Sequence, residues 1–378
     1  MTYYNEDRDA NIESTKTTSF EDENVFFFGG DISYEIPEKY DDGPDKRRDI
    51  RSVFSLTHFA LAVYLLTSQG AASIILVLSS LFLTIGGSIN EISTNTDFLL
   101  GLNAICQYTI AFPLFFLLTK GIKKNTNSTQ NRISVGKFLA FFVVAEGVML
   151  FGGILANLIS RLFDAIFGIG TENVVDSMLG YSNPWVIVIC VCILAPVFEE
   201  AIFRKILIDR FSRFGDGPAI FFSAIAFGLF HGNISQFIYA TAVGIILGYM
   251  YTLTRRIEYT VILHAFLNFF GSVIPMGIEW IQGESERLHG LAKEGAVINT
   301  TLASFYDILL IAYTVLTFAF IVAAFILIVW AAAKKKIRVE KCENFDITTV
   351  VKTGISNAGC IIFLILSFAF ILISLLSF

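Results

Sequence analysis

Long runs of apolar residues, separated by short polar segments, fill the chain from residue 53 to its end. A helix that crosses the hydrocarbon core of a membrane needs about 20 residues, and most of these runs are that long. The shorter runs, 218–231 and 259–274, are typical of broken or re-entrant helices packed inside a protein. The pattern predicts an all-α polytopic membrane protein with about eight or nine transmembrane helices. The predicted runs are 53–86, 98–119, 136–167, 185–208, 218–231, 234–254, 259–274, 304–333 and 356–378.

The composition agrees with this class. Of the 378 residues, 54% are hydrophobic and 16% are charged, whereas soluble domains average about 25% charged residues. No basic tract with interleaved aromatic residues is present, so we expect no nucleic-acid partner. The five cysteines form no C-x-x-C pair. We therefore expect small buried side chains rather than a disulfide framework or a thiolate zinc site.

Basic residues are concentrated in alternate loops. If the N-terminus is cytoplasmic and the chain crosses nine times, every basic loop lies on the cytoplasmic side. This orientation requires 53–86 to be one long helix, and we expect a multi-pass protein of a cell membrane, the bacterial plasma membrane. The basic loops are 120–137, 209–217, 255–256 and 334–341, and the acidic or weakly charged ones are 87–97, 168–184 and 275–303.

Polarity divides the chain into four segments. Residues 1–51 are acidic and turn-rich, and we expect a largely disordered cytoplasmic tail without a cleavable signal peptide. N-terminal transmembrane helices follow over 52–170. Residues 180–275 carry the unusual polar side chains, and we expect an extracytoplasmic loop and C-terminal transmembrane helices over 276–378.

Six polar residues of 180–275 are the candidates for chemistry. An ionisable group at membrane depth is costly, and such residues normally face the interior of a helix bundle at a functional site. They form three short patterns, which are Glu199-Glu200-x-x-x-Arg204, Phe227-x-x-x-His231 and His264-x-x-x-Asn268.

Glu200 and Arg204 are four residues apart, which predicts an ion pair on one helix face. Glu199 is rotated from Glu200 by about 100°, so Arg204 cannot easily neutralise both acids. Pro196 should kink or loosen the helix and make space for water. We therefore expect Glu199 to be the reactive acid and the Glu200–Arg204 pair to be structural. The alternative is that the whole group only holds helices together.

His264 and Asn268 also share one helix face and can offer an imidazole and an amide to one oxygen atom. Donors aimed at a developing negative charge are what an oxyanion site needs, although a pair of interhelical hydrogen bonds would use the same residues. His231 precedes Gly232, where the helix is expected to end. It could bind water or a metal, or cap its own helix. Glu146 is a further buried acid, expected either to pair with Arg204 or to line a cavity.

These three motifs resemble those of the CAAX protease and bacteriocin-processing (CPBP) family of intramembrane endopeptidases, which includes the Ras-converting CAAX prenyl endopeptidases. The family pattern is E-E-x-x-x-R, F-x-x-x-H and H-x-x-x-N/D on successive membrane helices, and the resemblance covers residues 180–275. It implies a catalytic core of four helices there. It also implies catalytic roles for Glu199, His231, His264 and Asn268, with Glu200 and Arg204 as orienting residues.

By this resemblance, Glu199 with His231 would activate a water molecule, while His264 and Asn268 would hold the oxyanion. The substrate would be a membrane-associated peptide or protein, lipidated in the prenyl endopeptidases, and the lipid bilayer is the other partner. Family members have been described as metalloproteases, and Glu199, His231 and His264 could bind Zn²⁺ with one open position. Because no H-E-x-x-H is present, we favour a mechanism without an obligatory metal and keep zinc as the alternative.

Two other functions use the same residues. A non-enzymatic immunity or scaffold protein would keep the motifs for helix packing, and a transporter would use the acids as a proton relay. The chain shows no obvious inverted repeat, which weakens the transporter hypothesis.

Overall fold

A computed structural model describes residues 44–84, 95–125, 129–168, 182–339 and 345–376. Every regular element in these ranges is a helix, so the predicted all-α class is confirmed. In chain order the helices are α1 (Pro44–Thr84), α2 (Thr96–Thr119), α3 (Val135–Phe167), α4 (Pro184–Phe214), α5 (Asp216–Phe230), α6 (Ile234–Thr254), α7 (Ile257–Lys293), α8 (Thr300–Ala333), α9 (Ile347–Ile355) and α10 (Ala358–Leu376).

Eight of the helices in the described ranges are long and apolar enough to cross a membrane, and α5 is a shorter apolar helix. The chain is therefore a polytopic membrane protein with the predicted number of transmembrane helices. The first of them, α1, is continuous as far as Thr84, as the predicted orientation requires. Residues 85–86 of that predicted run lie outside the described residues.

The predicted loop at 275–303 is wrong over most of its length, because α7 continues through Lys293. Side-chain contacts across single turns support this polar part of the helix, such as Gln282 with Glu286 at 2.9 Å. At about 1.5 Å per residue, α7 is about 55 Å long and exceeds the hydrocarbon core of about 30 Å. The change from apolar to polar residues marks where the helix leaves the hydrocarbon, and not where the helix ends.

The predicted boundary of the N-terminal tail at residue 51 is also wrong, since α1 begins at Pro44. Proline is favoured at the first helical position, and Asp45 in the first turn complements the helix dipole. Asp49 then accepts a hydrogen bond of 2.8 Å from Arg213 of α4, which fixes this turn against the bundle. Residues 1–43, and the disorder predicted for them, lie outside the described residues.

Three membrane helices widen into a π-helical segment directly before a proline. A proline lacks the N–H of the normal helical bond, and its ring displaces the carbonyl one turn earlier. The backbone therefore shifts to i→i−5 hydrogen bonds over a short stretch. In α4 this is the local form of the opening predicted at Pro196. The segments before prolines are Cys106–Ala111 before Pro113, Val188–Leu194 before Pro196, and Phe269–Val273 before Pro275. A further π-helical segment, Ala201–Ile208, follows Glu200 in α4 and contains Arg204, and it precedes no proline of that helix.

The short helix α5 and the longer α6 form a close antiparallel pair. Glycines of the pair permit the approach, since a methyl group on Gly244 would lie 3.1 Å from Cα of Ala224. On Gly248 it would lie 3.3 Å from the Ile220 side chain. This packing fixes the position of His231, which follows the last residue of α5.

The basic segments meet at one end of the bundle. Besides the Asp49–Arg213 contact, Arg210 donates to the carbonyl of Thr119 at 2.6 Å, and Asn131 N–H donates to the carbonyl of Thr254 at 2.9 Å. We call this end, formed by residues 44–51, 119–125, 129–134, 209–217, 254–257 and 334–339, the basic end. The opposite ends of α2 and α4 also meet, where Asn183 N–H donates to Asp97 at 2.7 Å. That the basic end is cytoplasmic remains a prediction.

Candidate active site

Glu200 and Arg204 lie one turn apart on α4, with 3.1 Å between Glu200 Oε2 and Arg204 Nε. Both side chains are completely buried. The guanidinium also lies over the ring of Phe227, 4.7 Å from its centroid, which is a cation–π contact. The four-residue spacing thus forms the expected ion pair, and a single arginine lies beside two consecutive acids.

His264 of α7 contacts both acids. Its Nδ1 is 2.9 Å from Glu200 Oε1, and its Nε2 is 3.7 Å from Glu199 Oε2. An ionised carboxylate can only accept, so Nδ1 carries the proton that bonds Glu200. The gap of 3.7 Å is too long for a direct hydrogen bond. Glu199 is buried, with 8% of its surface exposed.

Phe227 of α5 connects the three motifs. Its ring centroid lies 5.0 Å from that of His231 and 5.5 Å from that of His264. His231 Nδ1 bonds the carbonyl of Phe227 at 2.8 Å, and because a carbonyl only accepts, Nδ1 is the donor. In a neutral His231 the other nitrogen, Nε2, therefore carries a lone pair and can accept a hydrogen bond from water.

Glu199 of α4 and His231 of α5 lie at similar depth in the bundle, although they are far apart in sequence. Glu199 precedes the end of α4 by as many residues as His231 follows the start of α5. Since α4 ends and α5 begins at the basic end, the two side chains lie at similar depth. No special tilt of α5 is needed for this.

Asn268 has a structural role in the same region. Its Nδ2 donates to the carbonyl of Val191 at 2.8 Å. That carbonyl lies in the π-helical segment, where Ala195 N–H bonds Cys190 instead, and Pro196 has no N–H to offer. Asn268 thus satisfies a carbonyl exposed by the proline, and one N–H of its amide remains for another acceptor.

Two tyrosines outside the motifs also lie near Glu199. Tyr64 of α1 and Tyr108 of α2 are close enough for a direct electrostatic interaction with its carboxylate. Tyr108 stacks on Phe198, the residue before Glu199, with 4.2 Å between ring centroids. The hydroxyl of Tyr64 is fully buried beside Gln107 and makes no hydrogen bond of normal geometry with a described residue. Nothing in the sequence separates these tyrosines from other aromatic residues of apolar runs.

Glu146 is buried in α3, and its Oε2 has no hydrogen-bond partner among the described residues. It lies within electrostatic reach of Tyr313 on α8. The neighbouring Gly147 packs against the backbone of Phe320. Glu146 therefore faces the contact of α3 with α8, and the described ion pairs include none between Glu146 and Arg204.

The predicted zinc ligands do not form a three-ligand site. Glu199 and His264 approach each other, but within the described ranges no three His, Cys, Asp or Glu side chains are grouped so as to hold a metal ion. A structural or catalytic zinc needs at least three protein ligands on one ion. The side chains as arranged do not fit zinc, and the question of a metal requirement stays a prediction.

Fold and site together define a polytopic membrane protein with a buried centre of two acids, an arginine and the imidazole of His264, and with the half-buried His231 next to Phe227. Residues 181–270 match the family described as type II CAAX prenyl endopeptidase Rce1-like. The chain is also 25% identical over 196 residues to "Putative membrane peptidase YdiL" of Bacillus subtilis (strain 168), covering 50% of this chain and 76% of that relative. No solved structure matches. The predicted resemblance to the CPBP family is confirmed, and both matches indicate a peptidase.

Proposed function

We propose that this protein is an intramembrane endopeptidase in which Glu199 activates the water that hydrolyses a peptide bond. The observation that carries the proposal is the buried charge arrangement. Two consecutive carboxylates share one arginine, and the carboxylate that does not form its ion pair lies 3.7 Å from an imidazole nitrogen. A carboxylate held at the edge of such a cluster can act as a general base towards water.

In the proposed reaction, Glu199 takes one proton from the water, and Nε2 of His231 accepts a hydrogen bond from it. The water oxygen attacks the carbonyl carbon and forms a tetrahedral intermediate. The carbon–nitrogen bond then breaks as Glu199 returns the proton to the nitrogen, which leaves as an amine. Atoms and charge balance without any further reactant.

His264 and Asn268 are the proposed donors to the oxyanion. Since His264 gives its Nδ1 proton to Glu200, it can donate through Nε2 only as an imidazolium. A protonated His264 together with Arg204 would balance the two carboxylates, so the buried cluster would carry no net charge, as a buried ionic group requires. Asn268 would contribute the amide N–H that the Val191 carbonyl does not use.

The proposed substrate is a membrane-associated peptide or protein on the cytoplasmic side. We place the site in the half of the membrane nearer the basic end, because His264 lies about two turns after the start of α7 at that end. The matching family is described as type II CAAX prenyl endopeptidase Rce1-like, and we propose a lipidated protein as the substrate class. We also place the basic end in the cytoplasm of a bacterial cell, with the N-terminus on the same side.

We propose that the enzyme needs no metal, because the Glu199 carboxylate can itself take the proton from the attacking water. Purified protein should contain substoichiometric zinc and keep its activity in a chelator. Loss of activity that added zinc restores would contradict this mechanism and favour the metalloprotease alternative.

Quantitative proteomics of peptide termini tests the proposed function in cells. Cells with the wild type should produce new termini in membrane-associated proteins that cells with Glu199→Gln lack at equal protein level. Glu279→Gln removes an exposed acid of α7 and should behave as the wild type. Identical termini in all three strains would contradict the proposal, and a Glu199→Gln protein that fails to accumulate would favour a packing role.

A further inference from the structure

A polar cavity of about 210 Å³ lies at the basic end, between the end of α4, the end of α6 and the segment that follows α2. Three basic side chains line it, Lys124, Lys205 and Arg255. Lys205 is the residue after Arg204, but it points away from the buried centre and has half of its side chain exposed. The cavity is thus separate from the site described above, although the same helix contributes to both.

The one acid of the cavity, Asp209, is already bonded to cavity residues. It accepts a hydrogen bond of 2.8 Å from Tyr251, and Lys205 Nζ lies 3.3 Å from its other oxygen. Arg255 is 4.0 Å away and is also bonded to Asp216 at 2.6 Å. The charge of Asp209 is therefore compensated by these basic residues, and it would repel an anion bound in the cavity only weakly.

Lys124 supplies the surplus positive charge. It is exposed on the cavity and forms an ion pair with no residue in the described ranges. The neighbouring Asn125 and Gln130 add amide groups to the lining. The segment is held in place by its backbone, since Asn125 N–H donates to the carbonyl of Asp209 at 2.7 Å. Lys124 is thus next to a residue whose backbone is bonded to α4, and its side chain lines the cavity.

The position of the cavity indicates the source of an anion. It lies where α2 and α4 leave the membrane, directly after exposed apolar residues of α2 that include Phe116 and Leu117. Acyl chains can lie along this apolar surface while a headgroup reaches the lysines. Basic cavities between transmembrane helices at the cytoplasmic face are suited to anionic lipid headgroups, and ionised donors strengthen bonds to phosphate oxygens.

We propose that this cavity binds the phosphate of an anionic phospholipid headgroup. A bound lipid would connect the segment after α2 to the ends of α4 and α6. Because α4 carries Glu199 and Arg204, the lipid would stabilise the helix that holds the buried centre without entering that centre. The inference does not depend on the proposed peptidase activity.

The test uses the purified full chain in detergent, titrated with phosphatidylglycerol or with phosphatidylcholine, and follows lipid binding by native mass spectrometry and melting temperature. The test variant is Lys124→Gln with Lys205→Gln. The matched control is Lys120→Gln with Lys123→Gln, which removes the same charge from exposed lysines outside the cavity lining. Phosphatidylglycerol should raise the melting temperature of wild type and control by several degrees, and at least tenfold more of it should be needed for the test variant.

Three results would overturn the assignment. Equal affinity of the test variant and the control for phosphatidylglycerol would show that the cavity is not the site. Equal stabilisation by phosphatidylcholine would show that no anionic headgroup is recognised. Millimolar inorganic phosphate forms the last arm, and full protection by phosphate with none by phosphatidylglycerol would assign the cavity to a free phosphate instead of a lipid.

Discussion

At the scale of single residues, a polar group buried in this bundle can find its hydrogen-bond partner on a neighbouring helix. Pro196 leaves the carbonyl of Val191 without its helical donor, and Asn268 supplies one. An unsatisfied buried carbonyl costs about 1–3 kcal/mol, so Asn268 is needed for the fold whether or not it is needed for catalysis. Substitution of Asn268 alone would mix the two effects, and Glu199 is the better residue for testing chemistry.

Tyr64 gives a sharper residue-scale prediction. Its buried hydroxyl makes no hydrogen bond of normal geometry with a described residue, although Glu199 lies near. Removing an unsatisfied hydroxyl returns its desolvation cost, so Tyr64→Phe should have an unchanged or higher melting temperature. If the hydroxyl assists Glu199, peptide cleavage by the variant should nevertheless fall several-fold. A melting temperature lowered by more than about 5 °C would show that the hydroxyl is bonded and structural.

The spacing of residues within one helix could be read from the sequence, and contacts between helices could not. The four-residue spacing of Glu200 and Arg204 predicts their ion pair because helix geometry alone decides it. That His264 contacts both acids, and that Tyr64 lies within electrostatic reach of Glu199, depends on how α1, α4 and α7 pack. No local rule of sequence contains that information.

At the scale of elements, the contact of α5 with α6 positions Phe227 and His231. Gly228 is the tightest point, since a methyl group there would collide with Thr241 and lie 2.8 Å from the carbonyl of Phe237. The apolar runs predicted which membrane helices are present. They did not predict those helix ends that lie outside the hydrocarbon, because a change to polar residues does not end a helix there. The polar half of α7 is the example, because the helix continues beyond the apolar run from which it was predicted.

Substituting Gly228→Ala tests this contact. Overpacking should cost about 1–3 kcal/mol and move Phe227, so both the melting temperature and the cleavage rate should fall. Gly153→Ala is the control, because a methyl group at Gly153 of α3 meets nothing within 4 Å. It should leave stability equal or slightly higher, as alanine favours helix. Equal melting temperatures for the two variants would contradict the packing of α5 against α6.

At the scale of the whole molecule, charge and shape give the two ends of the bundle different properties. The basic segments are far apart in sequence and yet contact one another, as Arg213 does with Asp49. The charges of the loops predicted that these basic segments would lie at the same end of the bundle. The sequence pattern did not predict the length of α7 and α8. This length carries the segment between them beyond the opposite surface of the membrane.

Cysteine labelling in a cysteine-free background tests the orientation. A cysteine at Lys123 should react with a membrane-impermeant reagent only after the cells are permeabilised, because basic loops are retained on the cytoplasmic side. A cysteine at Glu286, in the polar half of α7, should react in intact cells. The reverse pattern would place the candidate site towards the outside and contradict the proposed access from the cytoplasm.

The central claim is that Glu199 carries the chemistry while the Glu200–Arg204 pair maintains the structure. The most direct measurement is the single-turnover cleavage rate of purified wild type, Glu199→Gln and Glu279→Gln on a substrate peptide identified from cells, each with its melting temperature. We predict that Glu199→Gln melts within a few degrees of the wild type and cleaves at least about a hundredfold more slowly, as expected for loss of a general base (about 10²–10⁴-fold). A folded Glu199→Gln protein that cleaves at the wild-type rate would contradict the account.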